Sequence, residues 1–480
     1  MEKQTKIIAT ISDLRCDVEF IRALFNEGMN VARLNSAHMD IEGFDRVIGN
    51  IRTVSNQIGI LIDTKGPEVR TTKSESPIEI RTSDRIKIKG DPNMVSSKEM
   101  IAVSYKDFVN DVNVGADILF DDGEIDVKVL AKEEDYLLCE ALNDGVLGSR
   151  KSVNVPGVRI NLPSLTERDK RNILYAIDKK TDFIAHSFVR NREDVLEIQK
   201  ILDEHNSDIK MIAKIENQEG VDNADEILEY AYGLMIARGD LGIEVAQEKI
   251  PGIQRVLIRK SVIAKKPVIV ATQMLHTMIN NPRPTRAEVT DVANAIFYRT
   301  DALMLSGETA YGKYPVEAVR TMAKIAEEAE KTKLKDNDIK IPQHDDNDIT
   351  SFLAKQAVDS MDLLNTRAII TDSYTGKTAR HLAAYRGSCP ILAICYKEQL
   401  IRQLALSYGV TPIYQEEKED TRHYFFAALK MLIENGYLKF QDKVAYLSGS
   451  QSMGGGTTFL EINSIDNIFS NQKDYLLPNF

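Results

Sequence analysis

Short apolar runs recur along the first two thirds of the chain, at residues 6–11, 29–34, 58–63, 182–188, 209–216, 233–238, 267–272 and 302–306. Each predicts a strand, and helix-patterned segments follow most of them, at 17–26, 42–56, 192–204, 218–230, 250–265, 284–296 and 315–329. A strand and helix repeated eight times predicts a (β/α)8 barrel. The third strand is not followed at once by its helix. A different texture intervenes, with alternating segments such as 77–81 and 126–129 that predict an inserted β domain. Helical pattern resumes at 165–179, with Thr166 as the cap before Glu167 and Asp169.

Beyond the barrel, residues 331–350 are charged and poor in apolar side chains and read as a linker. Apolar runs at 368–371, 391–395 and 444–448 then alternate with helical stretches at 378–385, 398–408 and 421–436, which predicts a smaller α/β sheet. The expected organisation is a discontinuous barrel at 1–67 and 163–340, an inserted lid at 68–162, and a C-terminal α/β domain at 350–480.

Composition narrows the class. A net charge of -11 argues against a generic nucleic-acid or anionic-membrane surface. Cys16, Cys139, Cys389 and Cys395 are scattered, without a C-x-x-C pair or a secretory-type leader, so packed thiols in a reducing cytoplasm are expected. No apolar stretch reaches the roughly 18 residues of a membrane-spanning helix.

Three strand ends carry candidate chemistry. The run 209–216 presents Lys214 and Glu216 two positions apart, on one side of a strand. The run 233–237 closes on Arg238-Gly239-Asp240, and 267–271 closes on Thr272-Gln273. Buried ammonium and carboxylate groups are costly unless paired or metal-bound, and the C-terminal ends of parallel strands are where barrel enzymes place their ligands. Ordinary solvated turns, a metal-dependent lyase or aldolase acting on enolates, and a catalytically silent phosphosugar-binding regulator are the competing readings.

The segment 209–221 resembles the signature of the pyruvate kinase family. The likeness extends through Asn30-Val31-Ala32-Arg33-Leu34-Asn35, Asp63-Thr64-Lys65-Gly66-Pro67-Glu68-Val69-Arg70, Ala237-Arg238-Gly239-Asp240-Leu241-Gly242, Ala271-Thr272-Gln273-Met274-Leu275 and Met304-Leu305-Ser306-Gly307-Glu308-Thr309-Ala310. It implies a barrel with a lid and a regulatory domain, a cytoplasmic homotetramer, and transfer of the phosphoryl group of phosphoenolpyruvate to ADP, the last ATP-forming step of glycolysis. It implies Arg33 and Lys214 as the cations on the migrating group, with Glu216 and Asp240 as ligands of Mg2+ or Mn2+. The 237–240 turn would offer backbone N–H groups to the substrate carboxylate. Thr272 would assist protonation of the enolate, through a water relay rather than as a free acid. Asn35, His38, Arg70 and Lys151 are implied for the nucleotide, and Asn35, Asp63 and the Thr64 carbonyl for K+.

The chain also departs from the pattern. Ala37 stands where the family has a serine that ligates K+, so that site would lack one side-chain oxygen. Glu68, in contrast, matches the K+-requiring members. The 11–15 segment replaces the usual Gly-Pro turn. In the C-terminal domain, Thr371, Ser373, Thr375, Gly376, Lys377 and Thr378 lie between a strand and a helix and suit a phosphate cradle. Residues 448–458 resemble the family's effector loop, so a sugar phosphate or a nucleotide is the expected effector.

Overall fold

The structure, a computed structural model, describes residues 3–332, 339–341, 348–416, 424–449 and 456–470. Eight parallel strands close a barrel. The first three are β1 (Lys6–Thr10), β2 (Val31–Asn35) and β3 (Gly59–Asp63). An inserted domain follows, built of β4 (Ile78–Ile80), β5 (Arg85–Gly90), β6 (Met100–Val103), β7 (Asp117–Phe120), β8 (Ile125–Lys132), β9 (Leu137–Ala141), β10 (Gly145–Leu147) and β11 (Val153–Asn154). The barrel resumes with β12 (Phe183–His186), β13 (Lys210–Ile215), β14 (Gly233–Ala237), β15 (Val268–Ala271) and β16 (Ala302–Leu305), and β16 pairs with β1.

Strand periodicity sorts the barrel's side chains. Ile212 faces inward with Ile8, Val31, Leu61, Met235, Ile269 and Met304, while Ala213 and Ile215 face the surrounding helices. Lys214 and Glu216 continue the inward parity of Ile212 towards the C-terminal mouth. The opposite end is sealed by Ala405 and Leu406, which belong to the C-terminal domain yet join the interior cluster.

The inserted domain has its own core, with Ile88, Phe108, Phe120, Val127 and Cys139 fully buried. Its main sheet runs β11-β7-β8-β9-β5-β6, with β10 and β4 as a separate ribbon. The C-terminal sheet comprises β17 (Ala368–Ser373), β18 (Ile391–Cys395), β19 (Val410–Tyr414), β20 (Lys443–Gly449) and β21 (Thr457–Ser464), in the order β19-β18-β17-β20-β21. Buried ion pairs join it to the barrel floor. The Asp182 carboxylate lies 3.0 Å from Arg52 and 2.7 Å from Arg402, and Arg386 lies 2.6 Å from Asp301.

Several elements differ from the sequence reading. The expected helix 218–230 is two helices, Gln218–Asp222 and Ala224–Tyr230, because Asn223 turns its side chain to the Arg190 carbonyl at the break. The helix expected at 284–296 spans Arg286–Phe297, started by a capping box between Thr285 and Glu288. The helix expected at 398–408 stops at Leu404, where the chain turns into the barrel floor. The helix Ile349–Leu364, capped by Asp348, and the strands β19 and β21 were not expected. Of the segment 448–458, residues 450–455 lie outside the described residues. The four cysteines are free, three of them buried. Among the described residues no helix is long and apolar enough to cross a membrane.

Candidate active site

Adjacent barrel strands bring the candidate residues to one mouth. Lys214 pairs in register with Met235, and Ala237 with Ala271, so the ends of β13, β14 and β15 lie side by side. From the other side, Asn35 pairs with Asp63 across β2 and β3.

Lys214 is the hub. Its ammonium lies 2.8 Å from Glu216 Oε1 and 3.7 Å from Asp63 Oδ2, and donates to Ser187 Oγ at 2.8 Å. Arg33 donates from Nε to Asp63 Oδ2 at 2.9 Å, and its second nitrogen also bonds that oxygen. Arg33 further reaches the Thr10 hydroxyl. Lys214 and Glu216 are buried, at 8% and 0% exposure, so these charges act in a weakly screening medium. Burial alone would push the Lys214 ammonium down, but Glu216, Asp63 and Asp240 outweigh it and raise its pKa, so it stays protonated. Burial pushes Glu216 up to about 7 against the pull of Lys214, with Asp240 adding to the rise.

Carboxylates supply oxygens for cations. Asp63 Oδ1 is buried without a hydrogen-bond donor among the described residues, and Glu216 Oε1 faces the Lys214 ammonium. Glu216 Oε2 accepts from the Phe188 N–H at 2.7 Å. Asp240, part-exposed on the first turn of the helix Arg238–Glu244, has no ion-pair partner among the described residues. The two carboxylates suit Mg2+, which takes one or two carboxylates plus substrate oxygens and water. Among the described residues no group of three or more acids, histidines or cysteines forms a closed metal cage. For K+ the available oxygens are Asn35 Oδ1, Asp63 Oδ1 and the Thr64 carbonyl. Ala37 adds none, while the neighbouring Ser36 hydroxyl is fully buried and has no hydrogen-bond partner among the described residues.

Thr272 carries the sharpest backbone feature. Its φ is +67° and that of Gln273 is +53°, a left-handed conformation that a β-branched residue adopts only under constraint. The constraint is visible. Thr272 Oγ accepts from the Gly239 N–H at 2.7 Å, and the Arg238 guanidinium donates to the Thr272 carbonyl at 2.8 Å while gripping Asp291 at 2.6 Å. The Arg238 side chain therefore points into the fold, and the Gly239 N–H is held by Thr272. A Cβ at Gly239 would meet Thr272 at an ordinary 3.5 Å, so protein packing does not demand glycine there.

The nucleotide candidates spread from the mouth to the lid. His38 is exposed and Asn35 caps its own turn by accepting from the Ala37 N–H. Arg70 and Lys151 lie at the lid base, where Arg70 pairs with Ser152 across a β-bridge. Both are engaged: Arg70 is 2.6 Å from Glu68, and Lys151 is 2.7 Å from Asp121. The lid rests on the barrel through Asn154, which donates to Glu244 at 3.1 Å.

Sequence reasoning missed three members of this set. Ser187 links Lys214 to the Thr64 carbonyl, to which it donates at 2.7 Å. His186 shares a 3.2 Å hydrogen bond with the Thr64 hydroxyl and is fully buried. Asp291 holds Arg238. A serine and a histidine at the end of the run 182–188 were readable by the logic applied to Thr272; Asp291, far along the chain on a helix, was not.

In the C-terminal domain, Thr371 and Ser373 are buried, whereas Thr375 and Gly376 shape the turn, with φ +76° at Gly376. Thr378 bonds Thr457 at 2.7 Å, so the turn and the segment after residue 455 meet. Asp372 is occupied by the hydroxyls of Tyr396, Tyr446 and Ser448.

A barrel whose strand ends hold a charged lysine among buried carboxylates defines an enzyme that works on a small anionic substrate. Residues 2–319 match the family model of the pyruvate kinase barrel domain, and residues 352–463 that of the pyruvate kinase alpha/beta domain. The chain belongs to the pyruvate kinase family. A pyruvate kinase of Borreliella burgdorferi is 47% identical over 97% of this chain and 98% of its own length. One of Geobacillus stearothermophilus is 44% identical over 98% of this chain and 82% of its own. A solved pyruvate kinase of Cryptosporidium parvum superposes with a TM-score of 0.91, at 36% identity over 96% of each chain.

Proposed function

We infer that this chain transfers the phosphoryl group of phosphoenolpyruvate to ADP and delivers the resulting enolate as pyruvate. The observation that carries the reading is Lys214, kept protonated among Glu216, Asp63 and Asp240 at the barrel mouth, with Arg33 beside it. Phosphoryl transfer through a loose transition state is accelerated mainly by positioning and by cations around the equatorial oxygens. Lys214 and Arg33 supply that charge, already oriented by Asp63 and Ser187, so little reorganisation is needed when the substrate arrives.

The backbone N–H groups after Ala237 receive the substrate carboxylate. Thr272, fixed by Gly239 and Arg238, orients the water that protonates the enolate carbon. Glu216 and Asp240 would hold Mg2+ or Mn2+, which supplies Lewis-acid polarisation of the substrate oxygens. Asn35, Asp63 and Thr64 would hold K+, with Ser36 the nearest hydroxyl to the oxygen lost at Ala37. Asn35, His38, Arg70 and Lys151 bind the ADP phosphates. Closing the lid exchanges the Glu68 and Asp121 contacts for them and excludes water, which suppresses hydrolysis.

A cytoplasmic homotetramer, regulated by a sugar phosphate or nucleotide at Thr371, Ser373, Thr375, Gly376, Lys377 and Thr378, completes the reading; the meeting of Thr378 with Thr457 supports a shared loop site. The purified protein should form pyruvate from phosphoenolpyruvate and ADP in a coupled assay with Mg2+, faster with K+ than without. Absence of pyruvate under those conditions would refute the assignment.

A further inference from the structure

The end of β12 ties several parts of the barrel mouth together. Ala185 pairs with Asp63 between β12 and β3, and one step further the Thr64 N–H donates to the Ala185 carbonyl at 2.9 Å. The residues that follow Ala185 each hold a different group. Phe188, in the left-handed region at φ +56°, donates its N–H to Glu216 at 2.7 Å. The Ser187 hydroxyl accepts from the Lys214 ammonium at 2.8 Å, and His186 shares a 3.2 Å hydrogen bond with the Thr64 hydroxyl. Ser187 and Phe188 thus touch the charged pair directly, and His186 acts at one remove.

Thr64 is fixed from two sides. Asp169, fully buried in the first turn of the helix Glu167–Asp178, accepts the Lys65 N–H at 2.8 Å. A trans peptide sets N–H and C=O in opposite directions, so this bond turns the Thr64 carbonyl towards the Ser187 hydroxyl, which donates to it at 2.7 Å. The Thr64 hydroxyl accepts the Ser187 N–H at 3.0 Å, and His186 is its other partner. The His186 side chain shares the outward parity of Ile184 and is fully buried. Packing alone does not call for a histidine there. Burial disfavours the charged ring and pushes its pKa down to about 4, and Nε2 has no hydrogen-bond partner among the described residues. A buried unpaired nitrogen is destabilising, so the ring is explained by what Nδ1 holds.

We propose that His186 is a positioning residue for phosphoryl transfer: it fixes the Thr64 hydroxyl, that hydroxyl fixes Ser187, and Ser187 aims the Lys214 ammonium at the migrating group. This role rests on the reading of the barrel mouth as a phosphoryl-transfer site. Every link is a hydrogen bond of 2.7 to 3.2 Å between residues no more than 8% exposed. Bonds shielded from water in this way hold the ammonium in place before the substrate arrives. A displacement of about 1 Å in a positioned group can cost roughly a hundredfold in rate, so a loosened chain is measurable in kcat.

His186→Phe and His186→Asn separate the hydrogen bond from the packing. Phenylalanine fills the space of the ring but bonds nothing, whereas asparagine sets an amide atom where Nδ1 stands and leaves the rest of that space empty. Single-turnover phosphoryl transfer from phosphoenolpyruvate to ADP should slow roughly tenfold in His186→Phe, as expected for one lost hydrogen bond, and stay within about threefold of wild type in His186→Asn. The KM for ADP should hold in both. The unfolding temperature should order the other way, with His186→Asn the less stable because of its cavity. His186→Phe added to Ser187→Ala should slow transfer no further than Ser187→Ala alone, since both break one chain. Crystal structures of the variants give a readout independent of turnover: Lys214 should leave the Ser187 hydroxyl in His186→Phe and keep it in His186→Asn. A wild type that forms no pyruvate refutes the reading of the mouth, and the crystal structures then decide the positioning by themselves. His186→Phe as fast as wild type, His186→Asn slower than His186→Phe, additive losses in the double variant, or Lys214 unmoved in His186→Phe would each overturn the proposal.

Discussion

Replacing Arg238 by methionine tests whether the strained turn at Thr272 matters to catalysis. Arg238 bonds the Thr272 carbonyl at 2.8 Å and is itself anchored 2.6 Å from Asp291. Two consecutive left-handed residues, at φ +67° and +53°, cost about 1–3 kcal/mol each, a cost the surrounding contacts must offset. Loss of a charge-assisted hydrogen bond removes about 1.5–3 kcal/mol of that restraint. If the turn relaxes, Thr272 leaves its place beside Gly239 and kcat falls roughly 10- to 100-fold, by the conversion of about 1.4 kcal/mol per decade. The defect belongs to the protonation step. Arg238→Met should therefore slow the exchange of the pyruvate methyl hydrogens with deuterated solvent, followed by NMR, more than it raises the KM for ADP. Arg238→Lys, which can keep one bond, should recover part of the rate. A variant within twofold of wild type in both kcat and methyl exchange would refute the argument that Arg238 positions Thr272.

Two further outcomes follow from named contacts. Ala37→Ser restores an oxygen beside Asn35 and Asp63, and should lower the K+ concentration for half-maximal activation several-fold, on the order of 1 kcal/mol of added ligation; an unchanged K+ titration would contradict the site as drawn. His381 is buried against Ser351, and burial, with Lys265 nearby, pushes its pKa down to about 4 from 6.5. The unfolded chain then binds the proton that the folded chain refuses. The stabilisation is complete above about pH 6.5 and is lost as the pH falls towards 4, up to about 3 kcal/mol. Unfolding of His381→Gln by denaturant should show a shallower loss of stability across that window than the wild type.

The barrel was legible because its strands are buried on both faces and read as continuous apolar runs, each followed by helical periodicity. The same reasoning failed at the margins of the C-terminal sheet. β19 contains Pro412 at an edge, and β21 is an antiparallel edge strand whose pattern mixes exposed Thr458, Phe459 and Glu461 with half-buried neighbours. The helix Ile349–Leu364 was lost to the charged linker before it, although Asp348 is its cap. In the candidate site, the residues that the structure gathers at one mouth were legible where chemistry breaks an apolar run: Lys214, Glu216, Asp240 and Thr272. The clamp on Thr272 could not, because it joins a guanidinium to a carbonyl and to Asp291, three segments whose proximity only the closed barrel creates. The internal pairing of Arg70 with Glu68 and of Lys151 with Asp121 was equally out of reach, since it depends on how the lid base folds.

The central claim is a division of labour: Lys214 and Arg33 serve the phosphoryl group, and Thr272 serves the enolate. Comparing Lys214→Met with the wild type in two assays tests it most directly, single-turnover phosphoryl transfer from phosphoenolpyruvate to ADP and solvent exchange at the pyruvate methyl group. Phosphoryl transfer should fall by roughly two decades or more, as expected for loss of a preorganised cation at the transition state, while methyl exchange stays within about tenfold. Equal losses in both assays, or phosphoryl transfer left intact, would contradict the account.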